Sequence, residues 1–394
     1  MKSGRITAVV LLVCGLRLYA QQPLSHAQDL DGTRAVAAIG AADTVSAMQT
    51  EQPFAQSSTS SPVSDTAGSG TYTDSTMTWD GITRYYEVFV PGGLPANPPM
   101  VLMLHGTRYT DSEDDYKQVI GCNWGWSAVA LEYGFILVQP ASTYDPRSTQ
   151  WNWNAYCMDG TALCAPYGAK GGAFGYIPAD ECGLEDKECP DDIGFLGALI
   201  QNLTTEYDAN PNQVYVTGFS SGAQMTERVG LELSNLVAAI AVVAGPIYNA
   251  QGTVSPPLPL PPVPASFQPI SVQVWEGTKD ENLWPCGYGL TNYSGVNFTV
   301  DSGDDTFNFW TESAANSCTT FQTTATLCAD NAPNNANDAP TPGISGDTGN
   351  IATGCRRDVE VQFIWEPGVA HSAQGQTNVD RWLFFAAHPK PSGE

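Results

Sequence analysis

Apolar residues in this chain fall into two alternating rhythms, short unbroken runs and helical spacings. Tyr85-Tyr86-Glu87-Val88-Phe89-Val90 reads as a strand, stopped by Pro91-Gly92-Gly93. Met100-Val101-Leu102-Met103-Leu104 is continuous, as expected of a strand buried on both faces. The spacing predicts a helix over Asn123 to Tyr133, closed by Gly134, and then a second buried strand, Phe135-Ile136-Leu137-Val138. Pro190-Asp191-Asp192 opens a helix with Ile193, Leu196, Leu199, Ile200 and Leu203 on one face. Val214-Tyr215-Val216 is a strand, followed by a tight turn and a helix through about Ser234. Further strands are expected at Ala238 to Ala244, Ile270 to Trp275 and Val359 to Trp365, and a closing helix at Thr377 to Ala387. Such alternation implies an α/β class with a mainly parallel central sheet flanked by helices.

Three stretches break the rhythm. Thr143 to Glu188 is irregular and rich in Trp, Gly and Cys, which makes it a Cys/Trp-rich loop insertion and a candidate functional loop. Ser255 to Pro264 is proline-rich, and Asp330 to Gly349 is an Asn/Asp/Pro/Gly loop; both are expected at the surface. At the start, Lys2 and Arg5 precede an apolar run from Ile6 to Leu16. That run is too short to span a bilayer and suits a signal-peptide core, with Ser25-His26-Ala27 as a cleavage site. Residues 1–27 are therefore expected to be a signal peptide. Residues 28–70, rich in Ser, Thr and Ala, are expected to be a disordered linker, and 71–394 the folded domain.

Charge narrows the partners. With 16 Lys+Arg against 41 Asp+Glu in 394 residues, the formal net charge is −25. A surface this acidic argues against nucleic acid and against docking on anionic lipid. At 42% hydrophobic and 14% charged, the chain has enough apolar material for a large core. Beyond Cys14 lie Cys122, Cys157, Cys164, Cys182, Cys189, Cys286, Cys318, Cys328 and Cys355, with no C-x₂-C spacing, so disulfides in an oxidising compartment are expected rather than a metal site. Cys157/Cys164, Cys182/Cys189 and Cys318/Cys328 are candidate pairs by proximity. Asn202, Asn292 and Asn297 head glycosylation triplets, usable only in a host that glycosylates.

The sharpest chemical signal is Gly218-Phe219-Ser220-Ser221-Gly222, a G-x-S-x-G between a strand and a helix. Such a turn exposes a nucleophilic serine and points helix N–H groups at a developing oxyanion. The alternative is a glycine turn with an inert serine. The chain has four histidines, His26, His105, His371 and His388. A base following the serine in chain order leaves His371 and His388; His371 sits in a loop after a strand and is favoured. Asp280, in the loop after Val272-Gln273-Val274-Trp275, is the candidate to orient that imidazole, with Glu276 and Glu281 as rivals. The Ser221 N–H is one oxyanion donor by position, and the Thr107 N–H, after Leu104-His105-Gly106, is the candidate second. Trp151, Trp153 and Trp284 are candidate substrate contacts on loops, or else hydrophobes that anchor those loops.

Together these motifs resemble the α/β-hydrolase esterases that include polyhydroxybutyrate depolymerases and feruloyl or acetylxylan esterases. The resembling pieces include Leu104-His105-Gly106, Trp151-Asn152-Trp153-Asn154, Asp191-Asp192-Ile193-Gly194-Phe195-Leu196, the serine motif, Gly277-Thr278-Lys279-Asp280, His371 and Trp382-Leu383-Phe384-Phe385. Glu276 stands where the family commonly has histidine. The resemblance implies the α/β-hydrolase fold and ester hydrolysis through a serine acyl-enzyme, without metal or cofactor. The expected partner is an ester substrate: a polyester, its oligomers or a polysaccharide ester. No membrane is expected for the mature form, and the sequence is silent on oligomeric state. Three readings follow: a secreted polyhydroxyalkanoate-type esterase, a feruloyl or acetylxylan esterase, and a catalytically silent binding protein of the same fold.

Overall fold

A computed structural model describes residues 69–390 except 122–123, 146–148, 156–189, 246, 248–262, 281–290, 294–295, 299–302, 313, 324–347 and 374–376. Ten strands form one sheet. They are β1 (Gly70–Trp79), β2 (Ile82–Pro91), β3 (Met100–Leu104), β4 (Ile136–Pro140), β5 (Val214–Phe219), β6 (Ala239–Val243), β7 (Ser271–Gly277), β8 (Thr320–Thr323), β9 (Thr348–Thr353) and β10 (Val361–Glu366). Five helices matter here: α1 (Trp126–Tyr133), α2 (Asp192–Glu206), α3 (Ser221–Glu232), α4 (Gly303–Thr311) and α5 (Asn378–Ala387).

The sheet order is β1-β2-β4-β3-β5-β6-β7-β10-β9-β8. From β4 to β10 every pairing is parallel, and the pairs at both ends are antiparallel. Every residue of β3 to β7 is buried, because helices cover both faces. The period of two divides the core. Met100, Leu102 and Leu104 pack with Phe195, Leu199 and Leu203 of α2, Met225 and Val229 of α3 and Trp310 of α4. Val101 and Met103 turn the other way, toward Trp126 of α1 and Trp382 and Phe385 of α5.

The central elements lie where the pattern placed them, with shifted ends. The helix expected from Asn123 starts at Trp126, after Gly125 at φ 85°. β1 carries Thr, Asp and Ser on an exposed edge and gave no apolar signal; the Asp80-Gly81 turn, both at positive φ, folds it onto β2. α4, β8 and β9 also escaped the pattern, and the last two residues of the Asp330 to Gly349 loop belong to β9. Most of the insertion lies outside the described residues, but Thr143–Asp145 and Gln150–Asn152 form a small sheet with Arg108–Tyr109.

One cysteine expectation needs correction. Cys318 bonds Cys355, not Cys328. The antiparallel register of β8 and β9 pairs Thr320 with Thr353, so the residues two beyond each end meet. Sheet pairing, not closeness in sequence, selects the partner. Cys157, Cys164, Cys182, Cys189 and Cys328 lie outside the described residues.

Candidate active site

Ser220 sits between β5 and α3 with φ 55° and ψ −122°, a backbone that a side chain larger than glycine's adopts only under strain. The surroundings hold it. Its N–H donates to Val243 O at 3.0 Å, and its carbonyl accepts from Gln224 N–H at 3.1 Å. The glycines of the motif permit the close crossing: a Cβ on Gly222 would stand 2.4 Å from the carbonyl oxygens of Leu104 and His105. The turn thus presses against the end of β3, the strand that carries the candidate oxyanion loop.

His371 and Asp280 arrive on two loops from adjacent parallel strands. His371 Nδ1 lies 2.7 Å from Asp280 Oδ2, and Nε2 lies 2.9 Å from Ser220 Oγ. With the proton on Nδ1, the ring donates to Asp280 and accepts from the serine hydroxyl. Asp280 is sealed from water and His371 nearly so. The loops are fastened together. Lys279 N–H donates to Val369 O at 2.8 Å, Thr278 N–H donates to Glu366 O at 3.0 Å, and Gly368 N–H donates to Thr278 Oγ1 at 2.8 Å. Gly277 allows the approach, since a Cβ there would meet Val369 O at 2.4 Å. His388 lies elsewhere, with Nδ1 against Phe384 O at 2.8 Å.

The candidate oxyanion residues also meet. Ser221 opens α3, so its amide is one of the first-turn donors without a helical acceptor. Thr107 Oγ1 lies 3.3 Å from Ser221 Oγ. His105 is scaffold: Nδ1 lies 2.6 Å from Gly106 O, and Nε2 accepts from Ser142 N–H at 3.0 Å. Burial pulls its pKa down to about 3, so the neutral ring with the proton on Nδ1 persists.

Two of the three tryptophans expected at the mouth are inside. Trp151 and Trp153 are each 1% exposed. Trp151 Nε1 donates to Thr110 Oγ1 at 2.8 Å and Trp153 Nε1 to His105 O at 2.8 Å, so both anchor the loops and present no face to a substrate. Trp284 lies outside the described residues. Among the described residues Trp124 also lies near the site, half-buried against Phe219, whose ring packs 4.8 Å from that of His371. The Arg108 guanidinium lies 5.2 Å over the Trp124 ring. Sequence reading passed over Trp124 because it stood inside a predicted helix; Gly125, after which the helix begins, was the available clue.

Glu276 is buried at the end of β7, and neither of its oxygens has a hydrogen-bond partner within bonding geometry. Burial first, then the nearby Asp280 charge, pushes its pKa well above the usual carboxylate range, with the Gly245 N–H opposing. Its charged form is disfavoured there, and Asp280, not Glu276, holds the imidazole. Among the described residues no group of three or more His, Cys, Asp or Glu side chains is arranged to hold a metal ion.

No protein-family model matches the chain. It is similar to a poly(3-hydroxybutyrate) depolymerase of Ralstonia pickettii, 29% identical over 194 residues that cover 46% of this chain and 34% of that protein. It is also similar to the bifunctional acetylxylan esterase/xylanase XynS20E of Neocallimastix patriciarum, 24% identical over 180 residues, 46% of this chain and 21% of that protein. The chain thus spans about a third and a fifth of these relatives' lengths. Among solved structures, the acetyl xylan esterase from Aspergillus awamori aligns at a TM-score of 0.48 and 17% identity, over 80% of this chain and 100% of that one. The strand order, with a strained serine turn after β5 and Asp280 and His371 on loops after β7 and β10, decides the architecture. The chain has the α/β-hydrolase fold. In an α/β-hydrolase the turn after this central strand is where a nucleophile stands exposed at the top of the sheet.

Proposed function

We propose that this chain is a secreted serine carboxylic-ester hydrolase resembling polyhydroxybutyrate depolymerases, acting on polyhydroxyalkanoate or a related polyester or its oligomers. The observation that carries the reading is the unbroken hydrogen-bond chain Ser220–His371–Asp280 on a strained turn. His371 Nε2 takes the Ser220 proton as Oγ attacks the ester carbonyl, and Asp280 stabilises the imidazolium. The amides of Thr107 and Ser221 receive the oxyanion. His371 then protonates the leaving alcohol, and water releases the acid by the reverse path.

Residues 1–27 act as an export signal and 28–70 as a linker to the hydrolase domain of 71–394. Among the described residues no helix is long and apolar enough to cross a membrane. The similarity to the Ralstonia depolymerase favours a polyester; the similarity to the Neocallimastix acetylxylan esterase/xylanase supports acetylxylan ester cleavage as the second reading, with feruloyl esters beside it on the sequence motifs alone. The test is hydrolysis of hydroxybutyrate oligomers, polyhydroxybutyrate film, methyl ferulate and acetylated xylan by the purified protein and by Ser220→Ala. Hydroxybutyrate release that the variant lacks, by a factor of about 10³ or more, is the expected result. Ferulate or acetate release moves the assignment to polysaccharide esters. Equal rates for both proteins on every ester defeat the serine mechanism.

A further inference from the structure

We propose that Asn152 is a positioning residue that sets the two oxyanion-binding amides through the hydroxyls of Thr107 and Ser221. The inference rests on the ester-hydrolase reading above and deepens it. Thr107 Oγ1 lies 2.6 Å from Asn152 Oδ1 and 3.3 Å from Ser221 Oγ. A hydroxyl has one proton, and an amide oxygen only accepts. Thr107 therefore commits its proton to Asn152, and the longer contact is the Ser221 hydroxyl donating to Thr107. The relay runs Ser221, Thr107, Asn152, and it ties the first residue of α3 to the loop after β3.

Asn152 is itself fixed. Its Nδ2 donates to Gln150 Oε1 at 2.7 Å, and in that arrangement Oδ1 faces Thr107. Its strand pairs with the loop's own strand, Arg108 opposite Trp151. The buried indoles on either side fasten that strand to Thr110 and His105. Thr107 and Ser221 are the two residues whose amides are assigned to the oxyanion, and they come from segments far apart in sequence. Among the described residues no backbone hydrogen bond joins Thr107 to Ser221; the side-chain relay does. Oxyanion donors act only when held to within a fraction of an ångström of the developing charge.

The test uses the full-length protein, a soluble p-nitrophenyl ester and an alkyl boronic acid as a tetrahedral mimic. Asn152→Ala and Thr107→Val are each expected to lower kcat about ten- to a hundredfold with KM within about twofold. Boronate affinity should fall by the same factor. The double variant should lose no more than the worse single, because one interaction serves both. A kcat within twofold of wild type in Asn152→Ala, losses that multiply in the double, or a change confined to KM or to melting temperature overturns the proposal. Should Asn152→Ala not fold, Asn152→Asp keeps the acceptor and puts charge beside the oxyanion; a wild-type kcat there also overturns it. Wild-type activity lost in Ser220→Ala keeps the underlying reading intact whichever way Asn152 behaves, and absence of any Ser220-dependent hydrolysis removes both.

Discussion

Glu227 lies on α3, sealed from water, with Trp310 Nε1 donating to Oε2 while Oε1 has no hydrogen-bond partner. Burial raises its pKa from 4.5 to about 8, against the smaller pull of the indole. The folded chain therefore keeps a proton that the unfolded chain has released across that interval. Since the native state binds more protons there, stability falls as pH rises from about 4.5 to about 8 and levels off above. Glu227→Gln keeps an acceptor for Trp310 and cannot ionise. It is expected to raise the melting temperature at pH 8 by about 2–4 °C and to flatten the decline measured between pH 5 and 8. An unchanged slope of melting temperature against pH would count against this assignment. Glu276 adds to the slope in the same direction, since burial and Asp280 also raise it. A residue-level reading of the sequence found neither effect, because a carboxylate's neighbours across the fold are not written in its local pattern.

Among the elements, the two loops bearing Asp280 and His371 act as one unit. Thr278 Oγ1 accepts from Gly368 N–H, so Thr278→Val removes this tie between a buried threonine and an exposed glycine. That change is expected to cost about 0.5–1.5 kcal/mol of stability and to lower kcat about tenfold with little change in KM. Denaturant titration and steady-state kinetics check the two halves separately. The buried strands β3 to β7 were legible because burial on both faces forces continuous apolar runs. The meeting of Ser220, His371 and Asp280 was legible because a strained turn needs glycines and four histidines leave few candidates. β1, β8 and β9 were not, since edge strands rich in Thr, Ser and Gln carry no core. For Trp151 and Trp153 the sequence left two readings open, and the buried acceptors of their indoles select the loop anchor over the substrate contact.

Across the whole molecule the net charge of −25 favours expansion through self-repulsion. Raising NaCl from about 10 mM to about 300 mM shortens the Debye length several-fold and is expected to raise the melting temperature by a few degrees. A melting temperature that falls with salt would mean that attractive pairs outweigh the repulsion. Ion pairs that resist screening are buried, as Arg84 with Asp192 at 2.5 Å, which joins β2 to the start of α2. The latch between the acid and base loops also bears on how such a chain could be recombined with its relatives. Most of the latch is main chain, which any sequence supplies; only Thr278 Oγ1 and the bare Cα of Gly277 are particular to their residues. A crossover placed between Asp280 and Glu366 would separate the halves of the acid–base pair. The chimera would still reassemble them, provided the donor of the first half brings Gly277 and Thr278. Exchange of whole segments, and not only point change, is therefore open to this part of the protein.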